Sequence, residues 1–221
     1  GMAPSVVALA YLSHCHWLLG EEEQAMLANQ EALHLAEKIN IPMTSCYALG
    51  RASWQHVFTG QIEAVRLHAE KLLEITRQHE IRSFELAAHF LLAWVKVQSG
   101  DPAGMHIESM YQLMQDYKNL GTILNRTTFL LLFAQVCVQA EQFERGLSAL
   151  DEAICLGEQT GERWFEAEAY RLKGELLLQK TPANPAEAEI CFTQALQVAR
   201  AQQSKSLELR AALSLARLLQ A

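Results

Sequence analysis

The feature that most constrains this chain is an internal repeat. Displaced by forty residues, its first half falls onto itself column by column. Ala8, Ala48 and Ala88 coincide, as do Ser13, Ser53 and Ala93, and then Gly20, Gly60 and Gly100. Leu27, Leu67 and Ile107 form a further column, followed by Leu33, Leu73 and Leu113. The second half repeats with a step of forty-two, which sets Gly146 against Ala188, Leu150 against Phe192 and Ala153 against Ala195. A fixed period of this length means stacked copies of one supersecondary unit, each too small to bury its apolar face alone.

The residues within a period specify that unit. Leu27, Ala28, Glu31, Ala32 and Leu35 recur at three-and-four spacing, as do Leu67, Leu72 and Ile75, so each segment carries one apolar helical stripe. Gly20, Gly60 and Gly100 stand where a first helix must end in a left-handed residue. Glu21-Glu22-Glu23 then open the next helix at its positive pole. Asp101-Pro102 reads as an N-cap followed by proline at the first helical position, and Asn184-Pro185-Ala186-Glu187 as a capping box. The pattern predicts eleven helices, over 3–19, 21–39, 43–59, 61–79, 82–99, 102–120, 123–141, 143–160, 162–180, 185–203 and 205–220.

Two helices per period, with small residues where helix axes cross, predict an all-α fold, a right-handed α-α superhelix of antiparallel helices. A large side chain at Ala8, Ala48 or Ala88 is expected to force neighbours apart. No Pro-, Ser- or Gly-rich linker divides the sequence, because Thr181 to Asn184 is a hairpin loop in length. The expectation is one domain, 1–221, with repeats over 3–40, 41–80, 81–121, 122–161 and 162–204 and a terminal helix 205–221. Eleven glycines and five prolines in 221 residues are too few for the turns of a β-sandwich or barrel.

Charge and cysteine usage narrow the function classes. Eighteen basic against 25 acidic side chains leave a net charge of −7. Residues 1–100 hold 7 basic and 10 acidic groups, and 101–221 hold 11 and 15, so neither half is basic. Nucleic acid and anionic membrane are therefore disfavoured as partners. The odd count of five cysteines, widely spaced and without a CxxC pair, fits free thiols in a reducing cytoplasm. The apolar stretch from Val6 to Leu19 is interrupted by His14 and His16 and has no basic flank, unlike a signal peptide. Phe129 to Val138 covers ten residues, half of a membrane span. Gly1 directly before Met2 reads as a protease remnant, so the chain is expected to be cut from a longer one.

The motifs sharpen the repeat type. Ala188-x3-Phe192-x2-Ala195 resembles the second-helix signature of the tetratricopeptide repeat, with Gly146-x3-Leu150-x2-Ala153 and Ala25-x3-Asn29-x2-Ala32 as looser copies. Tyr170-x3-Gly174 and Leu49-Gly50 resemble its first-helix signature. The period exceeds that family's 34 residues by six to eight, and its terminal proline is missing. Residues 161–178, Gly-Glu-Arg-Trp-Phe-Glu-Ala-Glu-Ala-Tyr-Arg-Leu-Lys-Gly-Glu-Leu-Leu-Leu, resemble more specifically the C-terminal region of bacterial multidomain signalling ATPases. The likeness continues over 186–219. It implies a regulatory, scaffolding region behind a nucleotide-binding module, with an adenylate or guanylate cyclase domain or a DNA-binding helix-turn-helix elsewhere in the parent chain.

Catalytic chemistry is not encoded in any linear motif. GxxxxGK[ST], GxGxxG, HExxH and GxSxG do not occur, so the sequence reads as non-enzymatic and free of cofactor. His14-Cys15-His16 cannot grip one metal ion from a helix, because residues two apart point about 200° from each other. For the same reason Glu166 and Glu168, and Glu187 and Glu189, read as solvated faces. Four tryptophans, Trp17, Trp54, Trp94 and Trp164, read mainly as packing between helices, with Trp17 the candidate groove anchor. If first helices line a concave groove, His14, Trp17, His56, His89, Lys96, Gln135, Arg171 and Glu175 are its candidate contacts. Three histidines from successive repeats would make such a groove pH-responsive. The expected partner is a protein or peptide, including other domains of the parent chain. The alternative is a small inducer held inside the superhelix by His89, Trp94 and Arg171, as in maltose-regulator-type activators. The apolar run Leu215 to Leu219 is expected to be an uncapped end, which leaves a homodimer open.

Overall fold

The computed structural model describes residues 1–122, 124–180 and 185–220. All of its regular structure is helical, and the eleven expected helices are present. They are α1 (Pro4–Leu19), α2 (Glu22–Ile39), α3 (Pro42–Phe58), α4 (Ile62–Gln78), α5 (Arg82–Gln98), α6 (Ile107–Asn119), α7 (Arg126–Gln139), α8 (Phe143–Thr160), α9 (Glu166–Lys180), α10 (Ala186–Ala201) and α11 (Lys205–Gln220). The chain forms two compact units, Gly1–Asp101 with Gln112–Thr122, and Pro102–Tyr111 with Ile123–Ala221. In the first, α1 pairs with α2 and α3 with α4, and α5 packs on α4. In the second, α7 pairs with α8, α9 with α10, and α11 packs against both α9 and α10.

The helix ends follow a rule visible in the glycine column. Gly20, Gly60 and Gly100 adopt φ of 83°, 72° and 110°. At each, the next residue's N–H reaches five residues back, as from Glu21 to the His16 carbonyl (2.8 Å) and from Gln61 to that of His56 (2.9 Å). This is the Schellman closure, which satisfies carbonyls that the helix leaves open. Non-glycine residues do the same at other ends: Asn40, Glu80 and Gln203 after the second helices α2, α4 and α10, and Glu141 after the first helix α7, all take φ between 52° and 56°, while α8 ends on Gly161 at φ 78°. Left-handed residues therefore punctuate both helices of a pair.

Three helices start later than expected: α6 at Ile107 rather than 102, α7 at Arg126 rather than 123, and α9 at Glu166 rather than 162. Asp101 does not cap α6: Pro102, at ψ 119°, leads into a short 3-10 turn, Ala103–Met105, and α6 begins only at Ile107. Gly104 sits inside that first turn, where its backbone freedom disfavours a regular start. The capping box proposed at Asn184 lies outside the described residues, and α10 starts directly after Pro185.

Small residues let the helices cross closely. On α2 the buried stripe is Ala25, Ala28, Ala32 and Ala36, with Asn29 beside it. All nine residues of the three second-helix signatures are buried: Ala25, Asn29, Ala32, Gly146, Leu150, Ala153, Ala188, Phe192 and Ala195. Gly174 meets Phe192 so closely that a Cβ there would lie 2.6 Å from the ring. Two column readings are corrected. Leu27 and Leu67 are 59% and 52% exposed, whereas Ile107 of the same column is buried. The alanine stripe one position away faces the neighbours and turns Leu27 outward. Ala48 and Ala88 are buried, but Ala8 is exposed, so only the former two separate helices.

Candidate functional site

In the first unit the polar and aromatic side chains of α1 and α3 gather along one line. The Arg51 guanidinium stacks over the Tyr11 ring, 5.3 Å from its centroid. Tyr11 and Arg51 are both half-buried. His14 lies beside Arg51 and stacks on Trp17 at 6.1 Å, and Trp17 packs against Phe58 at 5.3 Å. Beneath them, the Ser13 hydroxyl donates to the Ala25 carbonyl (2.8 Å) and sits 2.7 Å from the Gln55 side-chain amide. One buried hydroxyl thus ties α1 to both α2 and α3.

The expected contacts of this unit fall into three environments. His14 and Trp17 are buried, so Trp17 offers no indole face to a groove. Burial, with the Arg51 charge adding to it, lowers the His14 pKa to about 3, so this histidine does not titrate near neutrality. His56 turns toward His68 of α4, with ring centroids 5.2 Å apart. Burial lowers both, His68 to about 4 with the His56 charge contributing. His89 is half-buried on α5, and Lys96 is exposed in the last turn of α5. Trp94 is buried, with an indole N–H that finds no acceptor among the described residues.

In the second unit Arg171 and Glu175 do come together, within a larger ionic cluster. Glu168 is 1% exposed and accepts two guanidinium forks. Arg171 donates from Nε (2.8 Å) and Nη2 (2.7 Å), and Arg210 from Nε (3.1 Å) and Nη2 (2.8 Å). Arg171 also donates to Glu175 and to the Ser214 hydroxyl (3.3 Å), and Ser214 donates to Glu175 at 3.1 Å. Burial alone would raise the Glu168 pKa, but the two guanidiniums outweigh it and hold the carboxyl at about 2. Two carboxylates and two guanidiniums make the cluster neutral. It clamps the first turns of α9 to the middle of α11. Gln135 is half-buried on α7, one repeat before Glu175.

The expectation that Glu166 and Glu168 are solvated is overturned. Each meets its own cation: Glu166, 8% exposed, accepts from Arg163 at 2.6 and 3.0 Å. Glu187 and Glu189 are exposed as expected. Sequence reasoning missed Glu168, Arg210 and Ser214 as members of the cluster. The available signal was a register of thirty-nine residues that places Arg210 on Arg171 and Ser214 on Glu175.

Among the described residues, no group of three or more His, Cys, Asp or Glu side chains is arranged to hold a metal ion. No described helix is long and apolar enough to cross a membrane. The five cysteines are free, and burial pushes the thiols of Cys46 and Cys137 up to about 11 and about 12, which keeps them protonated.

With this geometry in view, comparison with known proteins places the fold. No protein-family model matches the chain. It is 20% identical over 176 residues to an uncharacterized protein of Rhizobium meliloti, a match covering 80% of this chain and 17% of that protein. Among solved structures it is similar to a Signal Transduction ATPase with Numerous Domains that carries a tetratricopeptide repeat sensor, from Pyrococcus horikoshii. That match has a TM-score of 0.55 at 13% identity and covers 95% of this chain and 32% of the other. The chain thus spans a third or less of the length of either protein. Its fold is that of tetratricopeptide-like helical repeats.

Proposed function

We propose that this chain is the protein-interaction and regulatory region of a larger bacterial signalling ATPase, and that it is itself non-catalytic. What carries the reading is the likeness of 95% of the chain to an ATPase with a repeat sensor. The residue-level resemblance over 161–219 points the same way. The partner is a peptide or a domain of the parent chain, docked on first-helix side chains that keep polar surface. These are Tyr11, Arg51, His89 and Lys96 in the first unit, and Gln135 and Glu175 in the second. The setting is cytoplasmic, consistent with five unpaired thiols.

The test begins with native size. An antibody raised against the chain should detect a polypeptide far above 24.8 kDa in source cells, and peptides from that band should include a nucleotide-binding module. The purified module should bind this chain at micromolar concentration, and Lys96→Glu, at an exposed position, should weaken binding without lowering thermal stability. A native band near 24.8 kDa, or a module that does not bind, would reject the reading.

A further inference from the structure

The α3–α4 pair buries two ring nitrogens that the fold does not satisfy. His56, in the last turn of α3, meets His68 of α4, with ring centroids 5.2 Å apart and the planes tilted by 47°. Both Nδ1 atoms are buried, and neither has a hydrogen-bond partner among the described residues. Leaving a buried nitrogen unpaired is unfavourable, and here it happens twice at one contact. Gln61 hydrogen-bonds the His56 ring. With Nδ1 unpartnered, that bond falls on Nε2 and leaves the lone pair at Nδ1. Burial keeps both rings neutral, the form in which imidazole offers a lone pair to a metal. Lys71, whose charge reaches His68, is itself held by Glu37 at 2.6 Å.

We propose that His56 and His68 together bind one divalent transition-metal ion, of the zinc, nickel or copper class, through their Nδ1 atoms. The spacing fits. Two imidazoles on one tetrahedral ion, with metal–nitrogen distances of about 2.0–2.1 Å, hold their ring centroids about 5 Å apart. The observed 5.2 Å therefore asks at most for a turn of the rings, with both helices in place. Imidazole nitrogens select this class of ion over magnesium or calcium, which take oxygen ligands. Among the described residues no third His, Cys, Asp or Glu joins the pair, so the site is an open one. Water fills its remaining positions, unlike the closed four-ligand cage of a structural zinc. The ion clips the end of α3 to α4. This goes beyond the docking reading above, because it needs neither a partner chain nor any of the surface side chains named there.

The test titrates the purified, metal-free chain with zinc chloride by isothermal calorimetry in a non-chelating buffer. One equivalent should bind saturably. His56→Phe and His68→Phe keep a ring in place but remove its nitrogens, and each should weaken binding by about tenfold or more. His34→Ala and His79→Ala, at exposed positions, should leave it unchanged. Melting curves without metal check the fold of each variant. With zinc, the midpoint of the native chain should rise and that of either Phe variant should not. Copper(II) on the native chain should show two nitrogen ligands by electron paramagnetic resonance. No saturable equivalent of zinc, or binding that survives both Phe substitutions, overturns the inference. So does loss of binding in His34→Ala or His79→Ala, since the ion then sits on surface histidines. If a Phe variant does not fold, the copper spectrum decides, and one nitrogen ligand or none overturns the inference.

Discussion

Glu168 is the residue on which most of the local energetics turn. Its carboxylate is buried and stays ionised only because two guanidinium forks meet it. Replacing one member of such a cluster strands the others, so Glu168→Gln should cost about 3–5 kcal/mol in urea denaturation. Replacement of Glu168, Arg171 and Arg210 together by apolar residues should cost much less, which distinguishes a stranded charge from a lost contact. The pH dependence has a definite sign. Glu168 titrates at about 2 when folded and near 4.5 otherwise, so its stabilisation is complete above 4.5 and is lost as pH falls toward 2. His14 and His68 act in the same direction at higher pH. Their folded values of about 3 and about 4 lie below 6.5, so the unfolded chain takes up their protons first. Unfolding midpoints should be flat above pH 6.5 and fall from there toward pH 4. His14→Leu should flatten part of that fall; a midpoint that rises on acidification would contradict both assignments.

Helix ends and helix crossings set the next scale. Glu80, Glu141 and Gln203 hold left-handed conformations that cost a side chain about 1 kcal/mol relative to glycine. Glu141→Gly should therefore stabilise the chain by up to about 1 kcal/mol, where the same change inside a helix would destabilise it. A thermal midpoint that falls for Glu141→Gly would show that its side chain outweighs the strain. Crossings respond in the opposite sense. Gly174→Ala places a methyl against the Phe192 ring, and Ala48→Leu or Ala88→Leu overfills a buried contact, each costing about 1–3 kcal/mol. Ala8→Leu, at an exposed position of the same sequence column, should be close to neutral. These pairs show how far the repeat could be read: it located helices and their small residues, but equal columns did not mean equal environments.

For the whole molecule, charge and architecture bound the partners. A net charge of −7 spread over both halves gives no basic stripe for phosphates. Labelled duplex DNA should show no saturable binding to the chain even at about 50 mM salt, where phosphate contacts are strongest. Saturable binding that weakens steeply with salt would require a local basic surface and would reopen nucleic acid as a partner. The parts of the candidate site differed in how plainly they showed in the sequence. Arg171 and Glu175 stand one helical turn apart, so their meeting was readable from spacing. Arg210 lies forty-two residues from Glu168, and nothing local marks that pair.

The sequence by itself determined the fold class, the number of helices and nearly every helix end. Those depend on local causes: an apolar period of 3.6, a left-handed residue at each stop, and carboxylates at the starts. Only the tertiary structure decided which residues of a stripe face a neighbour. Leu27 and Leu67 read as core and stand in solvent, while Glu166 and Glu168 read as solvated and are buried. The reason is physical. Burial and pKa are set by what packs across from a side chain, and in a stack of repeats that partner comes from a helix about forty residues away.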